Sequence, residues 1–319
     1  MARRKNVINE DSLEEKAVVD AEDFETSTHA FLRDCKIRNL SEESVKFYDK
    51  ELRGVLRLLE AADADTHPQK IDAESIRNNI ILAMMESGAK EGAINARLRG
   101  LRTFLNYLVR EGILDHSPMK KVGLIRQKKT IIEAFSRQQL RLLFAAADDG
   151  TFTGFRDKTA MMLLFETGLR SNEMVNVKVS DIKWEHNVID VHHPKNYRER
   201  TVPFQTTMKR QLRKYVALRG KLENDFLFVT IDNTPLTKRQ LQNRINHYGV
   251  KAGIKDVRTS PHTFRHSFAK YSVLNGADMF TLQKILGHSS LEMVRVYVEL
   301  FSPEIMENHR KFSPIEKLF

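Results

Sequence analysis

Cysteine is almost absent: the 319 residues contain one, Cys35. That excludes an internal disulfide and any multi-cysteine zinc site. A lone thiol among helical residues is expected as a small buried group. No apolar run reaches the length of a membrane span, and the basic, polar start lacks the apolar core of a signal peptide. A cytoplasmic protein with no membrane partner is therefore expected. Repeats and low-complexity tracts are also lacking. What is present is ordinary for a globular protein, 41% hydrophobic and 29% charged, in a chain long enough for two domains with cores of their own.

The net charge of +10 is unevenly spread. Residues 1–22 carry 4 basic and 6 acidic groups, and residues 23–115 carry 14 and 16. Residues 116–135 carry 5 and 1, and residues 136–319 carry 29 and 19. A surplus confined to the second half and the segment leading into it suits a polyanionic partner through counterion release. A basic surface that only aids solubility has the same composition.

Residues 1–22 show little periodicity and are read as a mobile tail. Residues 23–115 are read as a four-helix domain. Val45, Tyr48, Leu52, Val55 and Leu59 recur at helical steps after a capping Ser41, and Asp72 caps a helix bearing Ile76, Ile80 and Met84. The last helix carries Ile94, Leu98, Leu101, Leu105 and Leu108 on one face, with Arg97, Arg102 and Arg110 off it. Residues 116–135, with Pro118, Gly123, Lys120, Lys121, Lys128 and Lys129, read as a basic linker able to track a phosphate backbone. Arg97, Arg102 and these four lysines are the candidate DNA contacts, although any one of them also fits a solvated face. Residues 136–319 form the second domain. Asp181–Trp184, Val188–Val191 and Arg200–Val202 are β-branched runs that predict a three-stranded antiparallel sheet among helices. The expected fold class is mainly α with a small antiparallel β-sheet, a helical domain followed by a mixed α+β domain.

The chemistry gathers in the second domain. His262 and Arg265 lie three apart at a helix start and share a face. Arg170 stands at a loop-to-helix junction after Thr167, Gly168 and Leu169. Two guanidinium forks and two imidazoles, His262 and His288, can neutralise a phosphate as charge builds in a transition state. Glu173, three residues after Arg170, either orients that arginine or pairs on the surface. Lys195 occupies the turn between the second and third strands, where an ammonium is either merely solvated or free to act as a general acid. Tyr297, nine residues after His288, is either a packed core side chain or a nucleophile. His262 and His266 are four apart, but a cation lies between them and no glutamate follows His262, so no metal is expected there. His192 and His193 point to opposite faces of a strand and chelate poorly.

Taken together, Thr167-Gly168-Leu169-Arg170-Ser171-Asn172-Glu173, Lys195 eight residues before Pro203, His262-Thr263-Phe264-Arg265-His266, Leu286-Gly287-His288-Ser289-Ser290 and Tyr297 resemble the tyrosine recombinase (phage integrase) family in order and spacing. Leu40–Tyr48 and Leu101–Gly112 are similar to its core-binding domain. The resemblance implies a C-shaped clamp on double-stranded DNA. It implies that Tyr297 attacks the scissile phosphate to form a 3′-phosphotyrosyl link, and that Arg170, Arg265 and His288 hold the non-bridging oxygens. His262 would assist proton transfer at Tyr297, and Lys195 would protonate the leaving 5′-oxygen. No metal, ATP or other cofactor is implied. Strand exchange would run through a Holliday junction in a tetramer on DNA, with accessory DNA-binding proteins as further partners. Phe312, Ile315 and Phe319 are the candidate oligomer contacts; they can equally pack in cis. Pro194 and Asn196 replace glycines common in this turn. The short tail suggests a two-domain enzyme of the Xer or mobile-element type. A type IB topoisomerase, and a DNA-binding repressor that lost catalysis, stay open as alternatives.

Overall fold

The computed structural model of the chain describes residues 23–127, 133–192, 200–287, 294, 295 and 297. They fall into two compact units, Met1–Thr130 and Ile131–Phe319.

The first unit is built from α1 (Phe24–Ile37), α2 (Glu42–Ala61), α3 (Ala73–Ser75) running through π-helical Ile76–Leu82 into α4 (Ala83–Glu86), and α5 (Glu91–Arg110). Asp23, Ser41 and Asp72 each accept an otherwise unpaired amide of the first turn, which fixes where α1, α2 and α3 begin. Leu52, Val55 and Leu59 of α2 and Leu98, Leu101, Leu105 and Leu108 of α5 are fully buried against Ile76 and Ile80. Phe31 packs edge-on against both Tyr48 and Phe104.

The segment expected as a linker departs from that reading over its first ten residues. A 3-10 turn at Pro118–Lys121 buries Met119, and Val122 is buried after it. Asn95 on α5 binds Ile125 twice, donating to its carbonyl and accepting from its amide at 2.8 Å each. Arg77 donates to the Lys121 carbonyl at 2.7 Å. These are isolated side-chain ties between distant residues, and they leave no periodic trace in the sequence.

The second unit contains α6 (Arg137–Ala146), α7 (Phe152–Thr167), α8 (Ser171–Asn176), β1 (Ile182–Lys183), β2 (Val188–Val191), β3 (Arg200–Pro203), α9 (Thr206–Arg219), α10 (Lys238–Lys251), α11 (Pro261–Leu274) and α12 (Met279–Leu286). The sheet is antiparallel in the order β1-β2-β3, with Ile189 opposite Val202 and both buried. The fold is thus mainly helical with one small antiparallel sheet. α7 runs through the core, buried on nearly every side and packed against α9 and α11. It begins at Phe152, where Thr151 caps it and Gly154 leaves room for the Asp148 backbone. Asp157 on α7 accepts from Arg156, from Arg244 at 2.6 Å and from Tyr248 at 3.0 Å, tying α7 to α10.

Candidate active site

α7 ends at Gly168, which adopts φ +62 and so reverses the chain tightly. The next residues lead into α8, with Arg170 at its N-cap and Glu173 in its first turn. Glu173 folds back on the residue that precedes its helix. Its carboxylate accepts the Arg170 amide at 2.8 Å and the Arg170 guanidinium at 3.0 Å. A second arginine completes the grip: Arg200, the first residue of β3, donates to both Glu173 oxygens, at 2.9 and 2.8 Å. Burial alone would raise the Glu173 pKa, but the hydrogen bonds and charge of Arg200, then Arg170, hold it at about 2.

α11 supplies the other half. Ser260 caps it and Pro261 occupies its first position, so His262, Arg265 and His266 emerge within the first two turns. Arg265 is buried and donates to the Gly168 carbonyl at 2.6 Å and the Leu286 carbonyl at 2.8 Å. Burial lowers its pKa to about 10, which leaves it cationic at neutral pH.

Three consecutive carbonyls at the end of α12 are each taken by a different arginine. Ile285 accepts from Arg200 at 2.9 Å, Leu286 from Arg265 at 2.8 Å, and Gly287 from Arg170 at 2.9 Å. Helix C-terminal carbonyls lack partners within the helix, and the helix dipole favours cations there. The end of α12 therefore organises three guanidinium groups around one turn. Gly287, at φ +63, is needed at that turn because a Cβ would press on the Arg200 guanidinium.

Tyr297 is helical and buried, packed with Ala269 of α11 and Leu282 and Leu286 of α12. Its hydroxyl lies 2.7 Å from His266 Nδ1. The His262 ring meets the His266 ring edge-on at 4.1 Å between centroids. Burial lowers the His262 pKa, with Arg265, Arg258 and Arg170 adding to the effect. His266 falls to about 4 through burial, then His262 and Arg265. Both imidazoles are neutral at neutral pH. Burial raises the Tyr297 pKa against the opposing charges of Arg265 and Arg170.

Of the expected residues, Arg170, Glu173, His262, Arg265 and Tyr297 are brought into this one network, with Arg170 reaching α12 and Arg265 reaching both α7 and α12. Lys195, His288, Lys128, Lys129, Phe312, Ile315 and Phe319 lie outside the described residues. Lys120 and Lys121 are exposed, and Arg102 is half-buried with a bond to the Val122 carbonyl at 3.2 Å. Arg97 turns inward. It pairs with Glu51 at 3.1 Å, donates to the Glu51 carbonyl at 2.8 Å and covers Gly54, so its fork serves the helix pair. Two participants are given no role by the sequence reading: Arg200 reads as the start of a strand, and His266 as half of a rejected metal pair.

The chain matches the phage integrase family over residues 133–303 and the phage integrase N-terminal SAM-like domain over residues 29–112. It is 28% identical over 283 residues to the tyrosine recombinase XerD of Listeria monocytogenes, covering 87% of this chain and 94% of that protein. It is 29% identical over 230 residues to the tyrosine recombinase XerC of Bacillus subtilis, covering 70% and 75%. Among solved structures it superposes on the XerH site-specific recombinase bound to palindromic difH substrate in a post-cleavage complex, with TM-score 0.71, 19% identity and coverage of 90% and 85%. It also superposes on a lambda integrase dimer bound to a COC′ core site, with TM-score 0.74, 15% identity and coverage of 94% and 83%.

Proposed function

The chain belongs to the phage integrase family, and from that premise we propose that it is a tyrosine site-specific recombinase acting on double-stranded DNA. The observation that carries the reading is the convergence of Arg170 and Arg265 on the end of α12, with the Tyr297 hydroxyl held against α11. Two cations held by backbone carbonyls cannot drift when a phosphate arrives, so the site is organised before the charge it must stabilise appears.

The roles follow. Tyr297 attacks the scissile phosphorus and the 5′-oxygen leaves, forming a 3′-phosphotyrosyl link. Arg170, Arg265 and His288 bind the non-bridging oxygens. Glu173 and Arg200 orient Arg170. Lys195 protonates the leaving oxygen, and His262 assists proton transfer at Tyr297. The covalent link keeps the energy of the phosphodiester, so an incoming 5′-hydroxyl reseals the strand without ATP or a metal. Exchange of both strands of two duplexes needs four such sites, hence a tetramer acting through a Holliday junction. Phe312, Ile315 and Phe319 are candidate contacts between its subunits.

The test begins with a pool of nicked duplexes of random sequence. DNA that stays bound under denaturing conditions is recovered and sequenced, which also defines the target. Wild-type protein yields a covalent adduct on a denaturing gel, with and without EDTA, and Tyr297→Phe yields none. An adduct from Tyr297→Phe, or none from the wild type, overturns the assignment. Relaxation of supercoils without joining of two selected sites marks a topoisomerase instead.

A further inference from the structure

His266 lies one helical turn beyond His262 on the same face of α11 and is the residue whose ring nitrogen meets the Tyr297 hydroxyl, at 2.7 Å. We propose that His266 Nδ1 is the proton acceptor for Tyr297 during DNA cleavage, a catalytic role for the second histidine of the His262-Thr263-Phe264-Arg265-His266 stretch. The inference rests on the recombinase reading above and assigns one further residue to it.

The geometry and the charges support the same choice. The rings of His266 and Tyr297 are tilted by 50°, with centroids 5.5 Å apart, so they are not stacked. Arg265 and Arg170 are the cations whose charge acts on the phenol. A guanidinium only donates and never accepts a proton, whereas the neutral imidazole nitrogen does accept one. For Nδ1 to receive the phenolic hydrogen, the imidazole carries its own proton on Nε2. Burial, His262 and Arg265 hold the His266 pKa at about 4, so the lone pair on Nδ1 is available throughout the neutral range. The groups around it are His262 and Arg265 on α11 and Tyr297 packed against that helix. Arg170 and Arg258 act on His262, and Arg170 also acts on Tyr297. When a DNA phosphate neutralises the arginines, the same surroundings stop repelling a proton, and His266 becomes a stronger base as negative charge builds on phosphorus.

The step balances. As Tyr297 Oη bonds to phosphorus, its proton passes to His266 Nδ1. The bond from phosphorus to the 5′-oxygen breaks, and that oxygen takes a proton from Lys195. In the return step an incoming 5′-hydroxyl attacks phosphorus and gives its proton to the Lys195 amine. The departing phenolate then recovers its proton from the His266 imidazolium.

The test uses the full chain and the duplex recovered by covalent selection, in single-turnover cleavage. His266→Ala removes the acceptor; His266→Asn keeps a hydrogen-bond acceptor near the same place but cannot hold the proton. Both are expected to cleave about 10²-fold more slowly or worse, with melting temperature and DNA affinity close to wild type. A second duplex replaces the leaving oxygen with a bridging 5′-sulfur, which departs without a general acid. On it Lys195→Ala recovers, and the His266 variants do not. With that duplex the log of the variants' rate rises with pH along a unit slope, while the wild-type rate is flat at neutral pH. Unchanged or faster cleavage by His266→Ala, full recovery by His266→Asn, or recovery of either variant on the sulfur duplex overturns the proposal. Failure of the wild type to form any adduct overturns the recombinase reading itself, and this inference with it.

Discussion

Replacing Arg200 by alanine tests whether the site depends on a residue that touches no phosphate in the proposed mechanism. Arg200 is 13% exposed at its side chain, and its partner Glu173 is 4% exposed. The substitution removes three hydrogen bonds at once, two to Glu173 and one to the Ile285 carbonyl. Glu173 has a pKa of about 2 against an ordinary 4.5, which corresponds to about 3 kcal/mol of preference for the ionised carboxylate. Arg200 supplies the larger part of that preference, ahead of Arg170. Arg200→Ala leaves a buried carboxylate with half its counter-charge, so a loss of about 3 kcal/mol is expected, at the lower end of what breaking a buried pair costs. For a domain of this size that lowers Tm by about 6–12 °C. Arg170 and the end of α12 also lose their brace, so single-turnover cleavage is expected to slow by about 10–10²-fold while affinity for the selected duplex holds. Arg200→Lys keeps the charge and loses the fork, and falls between. The sign of the pH dependence follows from the same pair. Glu173 is depressed in the folded state, so the unfolded chain binds more protons between about pH 4.5 and 2. Its stabilisation is complete above that window and is lost as pH falls through it. Thermal melts from pH 7 to 2 check this against Glu173→Gln, which lacks that loss. Wild-type stability and cleavage in Arg200→Ala, or an unaltered acid limb in Glu173→Gln, would refute the reasoning.

Two further outcomes are expected. Gly168→Ala forces a side chain into φ +62 and onto the Phe268 and Leu286 side chains; a loss of about 1–3 kcal/mol is expected in denaturant melts, with slower cleavage because the Gly168 carbonyl holds Arg265. Arg97→Ala lowers stability by about 1–3 kcal/mol and leaves the salt dependence of DNA binding unchanged, whereas Lys120→Ala and Lys121→Ala each reduce its slope by about one. Filter binding across a salt series distinguishes them, and a flat salt response in the wild type contradicts a phosphate-dominated interface.

Much of the architecture is legible along the chain because its signals are local. Ser41, Ser136 and Ser260 stand where helices begin, and Gly168 and Gly287 where they end, since capping and left-handed turns are decided by a few adjacent residues. The strand runs at 188–191 and 200–202 are β-branched and appear where expected. The apolar face of α5 predicts what it buries, because a 3.6-residue period is a property of one helix. α7 offers no such single face, because it is buried on nearly every side.

Partners across the fold are another matter. Nothing near Arg97 in sequence says that it turns toward Glu51, 46 residues away. Nothing in Arg200 reveals that it shares Glu173 with Arg170 or meets Ile285, 85 residues on. His266 is visible as a histidine one turn from His262, but its hydrogen bond to Tyr297 spans 31 residues. The sequence alone determined the helical periodicity, the strand runs and the residue types able to handle a phosphate. Only the tertiary structure decided which guanidinium takes which carbonyl at the end of α12 and which imidazole meets the phenol. Periodicity reports the face a residue occupies, while a hydrogen bond depends on distances of a few tenths of an ångström between elements that the chain brings together only when it folds.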